Sequence, residues 1–84
     1  MNAKYEKTLE RIFTNPAPAD IKWRDIETML VSLGAGIKEG RGSRITVRLN
    51  GRRAVFHRPH PKPDTDKGAV KTLRQFLIDA GIKP

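Results

Sequence analysis

The 84-residue chain contains no cysteine, which excludes both a disulfide framework and a thiolate metal site. Acidic residues are scarce, with nine Asp and Glu against 17 Lys and Arg, so the formal net charge is +8. Only two histidines are present, and with few acids near them they make a poor tetrahedral zinc set. Neither a metal nor another cofactor is expected. No apolar run approaches the roughly 20 residues needed to span a bilayer. The first six residues also lack the apolar stretch of a signal peptide. A cytoplasmic protein without membrane contact is expected. A chain this short, 37% apolar, has room for one modest core.

The charge that is present is concentrated. The run from Lys38 to Lys62 carries Lys38, Arg41, Arg44, Arg48, Arg52, Arg53, Arg58 and Lys62 against a single acid, Glu39. Seven of the eight excess charges therefore lie in one stretch. Charge gathered on one element rather than spread for solubility is the footprint of a polyanion binder. Both histidines, His57 and His60, lie in the same run, and imidazole is the side chain that ordinarily titrates near neutrality.

Periodicity supplies the architecture. Tyr5, Leu9, Ile12 and Phe13 fall at helical spacing and predict a helix over 3–14, broken by Asn15-Pro16-Ala17-Pro18. Asp20 is the expected N-cap of a second helix with Trp23, Ile26, Met29, Leu30 and Leu33 on its apolar face, ended by Gly34. The period then becomes two. Ile45, Val47 and Leu49 alternate with polar residues and run into Asn50-Gly51, the strongest short-range signal for a two-residue hairpin. Strands are expected at 43–49 and 52–57, with a third at 36–40. After a stiff segment with three prolines, Asp64 or Asp66 caps a last helix with Val70, Leu73, Phe76, Leu77 and Ala80 inward. Gly81 and Ile82 close it. The expected fold is α+β, a two-layer α-α-β-β-β-α order with a three-stranded antiparallel sheet packed on helices.

A two-residue turn at Asn50-Gly51 sets the register. Ile45, Val47, Leu49, Ala54 and Phe56 then share the face packed on the helices. Arg44, Thr46, Arg48, Arg53, Val55 and His57 share the other. Arg48 faces Arg53, a like-charge pair that costs stability unless an anion lies over it. Arg44 faces His57. A charged outer face also occurs on sheets that are merely solvated, but the clustering favours nucleic acid. His57 alone reads equally as an inert surface residue, and His60, between two prolines, reads as a loop residue. Trp23 belongs to the core. Gly40-Arg41-Gly42-Ser43 fits neither the P-loop nor the dinucleotide fingerprint.

From Ile21 to Ile82 the chain resembles the HicA family of bacterial toxin mRNA interferases. The resemblance rests on ordered pieces: the Trp23-to-Leu33 helix ending Leu33-Gly34, Gly42-Ser43 opening the central strand, the hairpin, Arg58-Pro59-His60, and Lys67-Gly68-Ala69-Val70-Lys71-Thr72-Leu73 leading to Ala80-Gly81-Ile82. It divides the chain into an N-terminal helical extension and proline-containing linker, 1–19, and a HicA-like RNA-binding and ribonuclease domain, 20–84. It implies a double-stranded-RNA-binding-domain-like fold, metal-independent cleavage of mRNA in the bacterial cytoplasm, and neutralisation by a HicB-type antitoxin. One residue departs from the pattern. The family's usual Gly-Ser-His puts its catalytic histidine where this chain has Arg44.

The register offers a replacement, because facing Cβ atoms lie about 4.5–5.5 Å apart and His57 faces Arg44. The expected catalytic pair is His57 as general base or acid and Arg44 as phosphate clamp, with His60 a weaker candidate. Lys38, Arg41, Ser43, Arg48, Arg53 and Arg58 are the expected RNA-binding residues. A non-catalytic RNA- or DNA-binding module on the same fold is the alternative, since binding requires only the arginines. A basic domain that docks an acidic protein is a third reading.

Overall fold

Six elements follow one another in the computed structural model, which describes residues 3–84: α1 (Ala3–Ile12), α2 (Trp23–Ser32), β1 (Gly36–Glu39), β2 (Arg44–Leu49), β3 (Arg52–His57) and α3 (Lys67–Asp79). The first two residues of the expected N-terminal extension lie outside the described residues. The strands form one antiparallel sheet with β2 in the centre. Asn50 and Gly51 turn the chain with φ of 50° and 80°, the left-handed pair that a type I′ turn requires. The β2–β3 register is the expected one throughout, from Leu49 opposite Arg52 to Arg44 opposite His57.

That register sends alternate side chains to opposite sides. Ile45, Val47, Leu49 and Phe56 are buried against Trp23, Ile26, Met29 and Leu30 of α2 and Val70, Leu73, Phe76 and Leu77 of α3. Phe56 is the junction, with its ring 5.8 Å from that of Trp23 and 6.3 Å, edge-on, from that of Phe76. The helices cover one side of the sheet, and the other faces solvent. The fold is α+β, and α2 to α3 follow the order of a double-stranded-RNA-binding-like domain.

Two helices end by the same device. Gly34 adopts φ 95° and lets Ala35 N donate to Leu30 O at 2.9 Å. Gly81 adopts φ 81° and lets Ile82 N donate to Leu77 O at 2.9 Å. Of the two caps expected for α3, Asp66 serves, accepting from Ala69 N at 2.8 Å.

The start of α2 corrects the sequence expectation. Asp20 is not its N-cap; Lys22 occupies that position and makes no side-chain capping hydrogen bond. The reason lies in residues distant in sequence. Thr65 N donates to Ile21 O at 2.8 Å and Trp23 N to Pro63 O at 3.0 Å, so a short antiparallel bridge between Lys22 and Asp64 holds Lys22 extended and moves the helix start past Asp20. The Asp20 carboxylate pairs with Arg11 instead.

Helix α1 ends at Ile12, two residues before its expected end, and continues as a turn. Tyr5, Leu9 and Ile12 are buried in the same core as the other helices. Arg74 of α3 donates to the Ile12 carbonyl at 2.8 Å and to the Thr14 carbonyl at 2.7 Å, tying the end of α1 to α3.

Candidate nucleic-acid interface

The solvent face of the sheet is an ordered array because each strand contributes every second residue. The pairings place Gly40, Arg44 and His57 across one row and Lys38, Thr46 and Val55 across the next. Gly36, Arg48 and Arg53 form the third. Arg58 N donates to Ser43 O at 2.9 Å. The alternation of the ladder then makes Arg44–His57, Thr46–Val55 and Arg48–Arg53 non-hydrogen-bonded pairs, the kind in which facing side chains approach most closely.

An open groove of about 420 Å³ runs over this array. It is lined by the cations Lys38, Arg44, Arg48 and Arg53, by Gly40, Thr46 and Val55, and by Glu39. Arg44 leans toward β1. A β-carbon on Gly40 would lie 3.2 Å from Arg44 Nε and 3.0 Å from the Arg44 carbonyl oxygen. His57 is exposed on the same face but lies outside the groove lining.

The groove is electrostatically uncompensated. Among the described residues, Lys38, Arg41, Arg44, Arg48 and Arg53 have no carboxylate within ion-pair distance. Glu39 is at the groove, but both its oxygens accept from Arg58, Oε1 from Nη1 at 2.6 Å and Oε2 from Nη2 at 2.7 Å. The same guanidinium donates to Glu27 of α2, from Nε to Oε2 at 2.8 Å and from Nη2 to Oε1 at 2.9 Å. Trp23 Nε1 donates to Glu27 Oε2 at 2.5 Å. The hydrogen bonds from Arg58 hold both carboxyls below the usual value of 4.5, with burial opposing them and, at Glu27, the Trp23 hydrogen bond assisting. The two carboxylates in turn push the guanidinium pKa up.

Arg58 therefore stands apart from the other expected RNA-binding residues. Strand alternation turns it toward the helix side, opposite to His57, and its donors are committed to Glu27 and Glu39. Lys38, Arg44, Arg48 and Arg53 are brought together. Arg41 and Ser43 are exposed in the β1–β2 loop beside Arg44, where Gly42 takes φ 59° and Arg44 N donates to Arg41 O at 3.1 Å. His60 is exposed in the β3–α3 loop, outside the array. Gly40, Thr46 and Val55 also line the groove, although none of them was among the expected site residues. The signal for Gly40 was the alternation Gly36, Lys38, Gly40, which places all three on the outer face once β1 is paired. Among the described residues no three His, Cys, Asp or Glu side chains cluster as metal ligands, and no helix is long and apolar enough to cross a membrane.

The family model described as HicA toxin of bacterial toxin–antitoxin systems matches residues 23–82, from the first residue of α2 to the residue that closes α3. No curated protein and no solved structure matches the chain.

Proposed function

This chain belongs to the HicA toxin family of bacterial toxin–antitoxin systems, and from that premise we propose that it is a cytoplasmic endoribonuclease that cleaves mRNA and is neutralised by a HicB-type antitoxin. The observation that carries the proposal is the groove on the outer face of the sheet. Four cations line it, and the one neighbouring carboxylate is held by Arg58. An array of this kind attracts a phosphodiester chain, with Arg48 opposite Arg53 relieved of mutual repulsion once a phosphate lies over them.

His57 and Arg44 carry the reaction. Neutral imidazole of His57 takes the proton of a ribose 2′-hydroxyl, whose oxygen attacks the adjacent phosphorus. The phosphorus–O5′ bond breaks, and O5′ takes up a proton from the imidazolium. A 2′,3′-cyclic phosphate and a 5′-hydroxyl end result, and no metal ion is required. The Arg44 guanidinium holds the non-bridging oxygens, where negative charge grows in the transition state. Lys38, Arg41, Ser43, Arg48 and Arg53 hold the flanking backbone.

The test is cleavage of end-labelled RNA by wild type and His57→Ala, with folding followed by circular dichroism. Wild type should generate cyclic-phosphate ends, and His57→Ala should lose at least about 100-fold in rate while melting like wild type. Undiminished cleavage by folded His57→Ala would remove His57 from the mechanism. If wild type shifts RNA reversibly without cutting it, the domain is a binding module.

A further inference from the structure

The array on the outer face is graded as well as charged. Arg44 of the first row, Lys38 of the second and Arg48 of the third lie on β1 and β2, and Arg44 leans over Gly40 toward β1. The β3 side of the same rows carries His57, Val55 and Arg53. Among the described residues Val55 is one of three large apolar side chains left exposed, at 51%, and it lines the groove between the cations. Opposite it stands Thr46, half-buried. An apolar surface in the middle of a cationic groove is not explained by phosphate binding.

We infer that the groove holds a single RNA strand along β2, with successive phosphates on Arg44, Lys38 and Arg48 and one base lying flat on Val55. The inference rests on the RNA-binding part of the function proposed above. Successive rows are two residues apart, about 6.7 Å along the strand, a repeat close to that of phosphates on an extended single strand. The ribose then lies between the phosphate line and the base line. That puts a 2′-hydroxyl between Arg44 and His57, where the chemistry requires it. A duplex cannot bind in this way, because pairing and stacking turn its base faces inward. The ligand is single-stranded RNA presenting at least three consecutive phosphates and an unstacked base. Val55 is a specificity-determining residue of the same groove.

The experiment uses a five-nucleotide RNA made uncleavable by 2′-fluoro groups, the same oligomer with its central base removed, and a blunt duplex of equal length. Binding is read by fluorescence anisotropy for wild type, Val55→Ser and Lys38→Gln. Removing the central base should weaken wild type about fivefold. It should not further weaken Val55→Ser, which already lacks the apolar platform. Val55→Ser should keep the salt dependence of wild type. Lys38→Gln should flatten the plot of log affinity against log salt by roughly 0.7, the loss of one phosphate contact. Equal affinity for the duplex, or equal sensitivity of wild type and Val55→Ser to base removal, would overturn the inference. Cleavage of the unmodified oligomer is followed in parallel. Cutting without coupling between Val55 and the base leaves the ribonuclease standing and removes the inference; coupling without cutting does the reverse.

Discussion

Arg44 of β2 and His57 of β3 face each other as direct cross-strand partners, yet the Arg44 side chain leans away from His57, over Gly40 of the β1–β2 loop. The absent side chain of Gly40 makes that posture possible. In the proposed reaction a phosphate held by Arg44 would therefore lie to the β1 side of the imidazole, leaving room between them for the ribose whose hydroxyl that proposal deprotonates.

Gly40→Ala tests this posture. The new β-carbon would meet the Arg44 carbonyl oxygen at 3.0 Å and Nε at 3.2 Å, so both must give by a few tenths of an ångström and the guanidinium is displaced from its place over residue 40. Gly40 is not at positive φ, so its own backbone accepts alanine. We expect a loss of about 1 kcal/mol or less in stability and a rise in KM of tenfold or more in RNA cleavage. A Gly40→Ala variant with unchanged KM would show that Arg44 does not act from the β1 side.

The cluster of Arg58, Glu27 and Glu39 predicts a pH dependence. Hydrogen bonds from Arg58 lower both carboxyl pKa values in the folded protein below the ordinary 4.5. Each therefore contributes stability that is present above that value and is lost as the solution is acidified through the lower, folded-state value. The melting temperature of wild type should fall as pH is brought from about 5 toward 3. Arg58→Met should melt about 5 °C lower at pH 7 and show a weaker fall over the acid range. Parallel curves for the two proteins would show that these pairs contribute nothing to stability.

The caps give a third prediction, and they show where sequence reading succeeds and fails. Asp66→Ala should cost about 1 kcal/mol in a denaturant melt, because it removes the bond to Ala69 N. Asp20→Ala should cost much less, because its exposed pair with Arg11 contributes little. Asp20 and Asp66 look alike in sequence; what separates them is the bridge between 21–23 and 63–65, made by residues about 42 positions apart such as Lys22 and Asp64. The hairpin was legible because Asn50-Gly51 fixes its geometry locally and alternation sets the faces. The outer cations followed from that register. Arg58 did not, since its partner Glu27 lies 31 residues away on a helix whose docking no local pattern reveals. Nor did the lean of Arg44, which depends on pairing β1 to β2.

Helix α1 lies outside the family match and inside the core. Ile12 is fully buried, and Arg74 secures the carbonyls at the end of the helix. Ile12→Ala should cost about 2–4 kcal/mol, with cleavage by the fraction still folded unchanged. A value near zero would mean that α1 frays from the core and that residues 23–82 suffice for the fold.

The last prediction exchanges the two facing positions. If imidazole acts from β3 because Arg44 occupies the place of the family's usual histidine, a histidine placed back on β2 should relieve the loss on β3. Facing Cβ atoms of a non-hydrogen-bonded pair stand about 4.5–5.5 Å apart, within reach of one side-chain rotation. His57→Ala should be inactive, and Arg44→His in the His57→Ala background should recover cleavage, though not fully, since the guanidinium clamp is then lost. Arg44→Ala in the same background is the control, because it removes the clamp without supplying imidazole. Recovery in the first double variant and not in the second would establish that the chemistry needs one imidazole on this row of the sheet, on either strand. Equal inactivity of both would mean that Arg44 and His57 are not interchangeable supports for one group, and that the guanidinium itself is indispensable to the step.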